Sequence, residues 1–451
     1  MNPAGISLVI LCAAIIFMLP RRGAVLGVML TVCYVTQRQQ VDVLGFHFTL
    51  IRIALMVGLI RVLVRGEIRQ LQLNAIDKAI LAYATALVVI YTLRLGTTEA
   101  FVFVLGCAYD ILLSYFVFRC LITSAADVTG VLSGLAFLIV PLALLMCWEA
   151  TGAKNVFSVF GGVAEFAEVR DGHVRCSGPF RSPITAGSLG ASFAVLYLGL
   201  WWRDRGRRPL LIGLAASLAI LIMSHSSGPI LAFGGGLIAL AFWRLRGQMR
   251  RVRWGIALTL VGLHLVMKAP VWFLIAKVSD IVGGGGYHRA ALIDQFINHF
   301  WSWGFLGTSD TGGWMATTLL DGMADLTNAF VAAGVSAGLV GFLLFVSIFV
   351  KSFQLLGRAR QTAVAAADSA AEWLTWVLGA ALFAHALNII SVTYFDQMYA
   401  AYYMFLALVA AVAGENAGEL SQASLENLGS LDSCFGSVPA VVNRSGYLVA
   451  D

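Results

Sequence analysis

Apolar runs close to twenty residues long recur along this chain, with few charges inside them. They occupy residues 4–20, 23–36, 44–63, 79–95, 100–118, 129–148, 184–202, 209–224, 227–243, 254–275, 329–350, 373–393 and 397–414. A helix rises about 1.5 Å per residue, so roughly twenty residues cross the ~30 Å hydrocarbon core of a bilayer. Inside lipid the backbone must satisfy its own hydrogen bonds, so these runs are helices. A β-barrel would show short alternating segments instead. Only 12% of the residues are charged, about half the share of a soluble domain. The fold predicted is an all-α, polytopic transmembrane helix bundle of 12 or 13 spans. The uncertain span is the run at 23–36, which is short enough to be either a tilted span or a re-entrant segment.

Lysine and arginine orient the bundle. The clusters at residues 203–208 and 244–253 flank a hairpin of two spans and read as cytoplasmic. Counting alternately from them puts 19 of the 30 Lys and Arg on that side and 9 on the other, leaving out Arg52 and Arg444. Met1 to Pro20 carries no positive side chain and Arg21-Arg22 follows it. That order is the reverse of a cleavable signal and sets the N-terminus outside. The division expected is transmembrane helices in 1–148, an outer loop in 149–183, and helices in 184–275. A large outer loop in 276–328, helices in 329–414 and a disordered cytoplasmic tail in 415–451 complete it. Because the basic residues sit in short loops, the net charge of +6 is no nucleic-acid signal.

Polar chemistry gathers in the two outer loops. Loop 149–183 holds Arg170, Asp171, His173, Arg175 and Arg181. A guanidinium donates a fork of hydrogen bonds and keeps its proton, which suits phosphate or pyrophosphate. The same arginines equally suit lipid headgroups or nearby carboxylates. Loop 276–328 carries four glycines, Gly283 to Gly286, before Tyr287, His288 and Arg289. Helical spacing of apolar residues follows, which places Arg289 near a helix start, where backbone N–H groups also meet an anion. The loop ends in Asp325, Leu326, Thr327 and Asn328. A carboxylate there can take a proton from a sugar hydroxyl, while Asp, Thr and Asn are also good helix caps. Arg52, Asp110, His264, Lys268 and His385 fall within spans, and His225 reads as part of a tight outer turn. No Asp-x-Asp, Glu-x-Asp or Cys-x-x-Cys occurs. Divalent ions favour carboxylate pairs, so a metal-free reaction with no cofactor is expected.

These segments resemble the O-antigen ligase and O-antigen polymerase membrane proteins of bacterial polysaccharide assembly. The resemblance is carried by Arg175, Gly178, Pro179, Phe180 and Pro183 leading into a span, and by Ser226 to Pro229. It continues through His288-Arg289, the turn from Trp303 to Gly307, and Asp325 to Asn328 followed by Gly334, Gly338 and Gly341. It covers about residues 170–350 and implies a GT-C-like glycosyltransferase of the bacterial inner membrane. The implied donor is an undecaprenyl-pyrophosphate-linked glycan, drawn from the membrane lipid phase and attacked by an acceptor hydroxyl on the periplasmic face. Arg175 and Arg289 match the family's pyrophosphate-binding positions, and Arg181 would assist them. Many ligases carry a His-Asn pair where this chain has Thr327-Asn328. The departure moves the proton-accepting role to Asp325 or His288, with Thr327 and Asn328 in support. It also favours a polymerase of O-antigen or exopolysaccharide repeats, with a chain-length regulator as a candidate partner. The alternatives are a ligase to lipid A core and, from another class, a lipid-linked oligosaccharide flippase.

Overall fold

The structure is a computed structural model that describes residues 3–43, 46–282, 285–315 and 323–414. Gly283, Gly284, Asp321 and the expected disordered tail lie outside the described residues. Of the described residues, 79% are helical. Each apolar run holds a helix: α1 (Pro3–Met18), α2 (Arg21–Tyr34), α3 (Leu50–Val64), α4 (Ala75–Leu95), α5 (Thr98–Leu121) and α6 (Ala125–Gly152). There follow α7 (Pro183–Arg203), α8 (Arg208–Met223), α9 (Ser227–Ala241) and α10 (Met249–Val266). The polar segment forms α11 (Leu274–Val282), α12 (Gly286–Asn298) and α13 (Phe300–Trp303) before α14 (Ala329–Ala365) and α15 (Ser369–Ser391). A last helix, α16, spans Met398–Gly414.

Among the described residues, seven stretches are long and apolar enough to cross a membrane, one of them a continuous stretch over Ser227–Val266 that contains α9 and α10. Three shorter apolar helices accompany them. The chain is a multi-pass membrane protein of helical architecture. Two expected boundaries move. The run at 44–63 becomes helical only at Leu50, because β1 (Gln40–Val43) pairs antiparallel with β2 (Phe46–Thr49). The run is rich in residues that suit strands as well as lipid, and hydropathy alone does not separate the two. The run at 254–275 ends its helix at Val266, before Pro270, which lacks the N–H a helix interior needs.

The bundle is built around α7 and α16. Nearly every residue of α7 from Pro183 to Val195 is buried, and so is α16 from Ala400 to Ala413. A helix apolar on all sides is stable where neighbours or lipid surround it. α7 packs on α8, α9 and α15, while α14 packs on α4 and α15. By contrast α10 has no buried residue, and Trp254, Leu258 and Leu265 are exposed along it. Between α3 and α5, Arg52 and Asp110 form an ion pair at 2.6 Å, which partners two of the charges within spans.

Small residues set the closest approach. A Cβ at Gly190 of α7 would lie 2.7 Å from Leu221 N and 2.8 Å from Ser217 O of α8. Both are backbone atoms, so the helices must separate to admit it. Gly190→Val is expected to cost about 1–3 kcal/mol of stability, the usual range for overpacking. Thermal unfolding of the solubilised protein checks this, and an unchanged midpoint would contradict the contact.

The polar segment docks on α14 at a break. Ala337 and Gly338 leave helical geometry, and Gly338 has φ +63°. The break frees the Leu339 N–H and the Val335 carbonyl. Gly304 O accepts from Leu339 N at 2.8 Å, and Val335 O accepts from Thr308 N at 2.9 Å and from Arg94 Nη1 at 2.6 Å. The turn at 303–307 and the glycines of α14 are therefore two halves of one joint. A small core of Leu292, Phe296, Trp303, Trp314, Val331 and Val335 seals it. Phe296 and Trp303 stack with ring centroids 3.8 Å apart. This core fixes α12, and with it His288 and Arg289, against the bundle.

Candidate functional site

A cavity of about 660 Å³ opens where α7 and α9 begin and α15 ends. Most of its polar lining comes from three separate segments, with Ile184 of α7 and Ser391 of α15 closing it. Arg170, Asp171, His173 and Arg175 come from loop 149–183; His225, Ser226 and Ser227 from the start of α9; and His288, Arg289, Asp325 and Thr327 from loop 276–328.

The first wall is a hairpin. β3 (Glu168–Arg170) pairs with β4 (His173–Arg175), with Arg170 opposite His173 and Glu168 opposite Arg175. Asp171 and Gly172 join them with φ of +52° and +77°. An Asp-Gly pair with both φ positive is the favoured two-residue hairpin turn. Side chains alternate along a strand, so Glu168, Arg170, His173 and Arg175 share one face. Arg175 Nη1 donates to both Glu168 carboxylate oxygens at 2.9 and 3.0 Å. Its Nη2 donates to Ser226 Oγ at 3.1 Å, while its Nε is buried without a partner.

The turn after Arg175 is held from below. The Glu149 carboxylate, at the end of α6, accepts from Ser177 N and Gly178 N, each at 3.0 Å. Asn155 Nδ2 donates to Gly178 O at 2.7 Å, and Gln397 Nε2 donates to Pro179 O at 2.8 Å. Gly178 has φ +56°, a conformation that favours glycine. Glu149, Asn155 and Gln397 were not among the residues singled out from the sequence. Each lies far along the chain or in an apolar context, and no local pattern marks them.

Arg289 lies in the first turn of α12 and is only 9% exposed. Its Nη1 donates to Ser279 Oγ at a long 3.4 Å. Among the described residues no carboxylate pairs with it. Burial, and then the nearby Arg170, lower its pKa from the ordinary value. A buried charge without a counter-ion is costly, so the site is poised for an anion. A Cβ at Gly228 would lie 3.4 Å from Arg289 Nη2, so the guanidinium reaches the first turn of α9. No side chain caps α9, and the first N–H groups of a helix have no partner within it. Arg175 touches this first turn at Ser226, and Arg289 approaches it at Gly228. Guanidinium forks and free N–H groups converge there, the donor set that holds phosphate or diphosphate.

The remaining expected residues separate. His288 and Asp325 line the cavity, with His288 Nε2 3.5 Å from the Asp325 carbonyl oxygen. Thr327 lines it too, with its Oγ1 buried and unpartnered. Asn328 does not line it. Its Oδ1 accepts from Phe330 N at 2.9 Å and Val331 N at 3.3 Å, which makes it the cap of α14. Arg181 also lies apart and is exposed. The charge beside it is Asp396, whose carboxyl is raised by burial, against which Arg181 works. The turn between Arg175 and Arg181 sends the two side chains to different surfaces. His173 and His225, passed over as site residues in the sequence, stack in the cavity wall at 4.8 Å.

A second cavity of about 220 Å³ lies among α4, α5, α14 and α16, lined by Tyr83, Tyr91, Phe103, Phe345, Tyr399 and Tyr402. Thr393 on its wall donates to Leu326 O at 2.6 Å, between Asp325 and Thr327 of the first cavity. A scan against protein-family models finds no match to this chain, and a search of curated proteins finds none either.

Proposed function

We propose that this chain is an inner-membrane glycosyltransferase that polymerises undecaprenyl-pyrophosphate-linked repeat units of O-antigen or exopolysaccharide. One observation carries the reading. Arg175 and Arg289, from loops far apart in sequence, line one cavity, and Arg289 is buried there with no acidic partner among the described residues. In this reading Arg175, Arg289 and the first turn of α9 hold the diphosphate, and the aromatic cavity takes the nearest prenyl units. The acceptor hydroxyl attacks the anomeric carbon of the reducing-end sugar. A new C–O bond forms, the bond to the diphosphate breaks, and its electron pair leaves on a phosphate oxygen. The arginines neutralise that developing charge. Asp325 or His288 takes the hydroxyl proton.

Transfer is tested with purified protein in vesicles supplied with lipid-linked repeat units and a chelator. Polymer that grows under chelation supports the reading, whereas movement of the lipid across the bilayer without bond formation would point to a transporter. Asp325→Asn and His288→Gln separate the two proton acceptors. Loss of a general base costs about 10²–10⁴-fold, so one of the two variants should fall that far. Full activity in both would remove these residues from the chemistry.

A further inference from the structure

The stacked imidazoles of His173 and His225 have no task in this scheme. Their rings lie 13° from parallel with centroids 4.8 Å apart. No hydrogen bond among the described residues engages either ring. His173 shares the hairpin face of Arg175, two residues along the strand. His225 immediately precedes Ser226, the residue that receives Arg175. Its φ of +41° is a left-handed conformation, uncommon in residues other than glycine though less so for histidine. Its N–H donates to Ile222 O at 3.0 Å, which fixes the ring at the mouth of α9.

We propose that His173 and His225 are the proton-titrated part of the anion site, so that a diphosphate binds together with a proton taken up by this pair. The inference rests on the diphosphate reading of the cavity. The cations facing the pair are Arg170 and Arg175 on the hairpin and Arg289 on α12, with the imidazole of His288 beside Arg289. The acids are Asp171 in the hairpin turn and Asp325, since Glu168 is taken up by Arg175. With the cavity empty, a charge on His225 is opposed first by its burial and then by the neighbouring His173 and Arg175, which hold it below its ordinary value. A diphosphate brings several negative charges to the same wall and reverses the balance. The complex then binds more protons than the free protein. Affinity must rise as pH falls through the raised value in the complex, and the gain is complete below the depressed value of the free site. For each proton taken up, the slope approaches about tenfold per pH unit.

Calorimetric titration of the full chain in lipid nanodiscs with inorganic diphosphate tests this. Buffers of different ionisation enthalpy report the protons taken up. His225→Asn keeps a residue that tolerates the left-handed turn, and is combined with His173→Gln. Compared with this double variant, the wild type should gain about tenfold in affinity between about pH 7 and about pH 6. It should also take up more protons. Titration of the diphosphate itself is common to both proteins and cancels. His173→Gln alone leaves the strained turn intact and should lose part of the uptake, which guards against a folding defect in the double variant. Equal pH slopes and equal uptake in all three proteins overturn the inference. The wider reading fails differently, if Arg289→Ala binds diphosphate as tightly as wild type at every pH.

Discussion

Arg289→Met is expected to cut transfer by about 10²–10³-fold while making the protein harder to unfold. The guanidinium is buried, its one hydrogen bond among the described residues is a 3.4 Å contact with Ser279 Oγ, and Arg170 repels it. Such a charge destabilises the empty protein, because desolvation is not repaid by a counter-ion. Methionine fills similar volume without the charge. The variant should gain on the order of 1 kcal/mol, the scale of a buried polar group relieved of a poor partner. Transfer should fall about 10²–10³-fold, the usual loss when a donor to developing negative charge is removed. Strain held at a functional site and relieved by its mutation is a general pattern. Thermal unfolding and the vesicle transfer assay read the two effects separately. Normal transfer would remove Arg289 from the diphosphate site, and a lower unfolding midpoint would make it a fold-supporting residue.

The second large effect is expected at a residue that lines no part of the cavity. Glu149 is fully buried, and its carboxylate receives the Ser177 and Gly178 N–H groups. Glu149→Ala leaves both donors unsatisfied in a buried turn. At about 1–3 kcal/mol for each, the loss is roughly 2–6 kcal/mol. The same turn aims Arg175, so transfer should fall with stability. Glu149→Gln keeps one acceptor oxygen and should lie between alanine and wild type in both measurements. Wild-type stability in Glu149→Ala would mean that Asn155 and Gln397 hold the turn unaided.

Much of the helical layout is legible in single residues. Pro183 begins α7, Pro270 follows the end of α10, and Asn328 caps α14 through its side chain. The Asp171-Gly172 pair announced a hairpin that the reading of loop 149–183 as a plain loop passed over. Arg175 and Arg289 were both legible as candidate anion ligands, for the chemistry of the guanidinium, and they line one cavity. Arg181 was equally legible and lies elsewhere, because residue type says nothing about direction after a turn. Asn328 was weighed as support for catalysis and as a cap, and its side-chain oxygen is fully used by the backbone of α14.

By itself the sequence determined that this chain is a multi-pass helical membrane protein, since length and hydropathy act segment by segment. It also marked the arginines whose chemistry suits an anion. Only the tertiary structure decided which of them meet. Arg175 reaches the cavity because Glu149, Asn155 and Gln397 pin the turn behind it. Arg289 reaches it because Phe296 and Trp303 lock α12 onto the break in α14 at Gly338. His173 and His225 stack because a strained turn and a hairpin happen to face each other there. These are contacts between residues distant in the chain, made by burial and hydrogen bonding that no local pattern encodes.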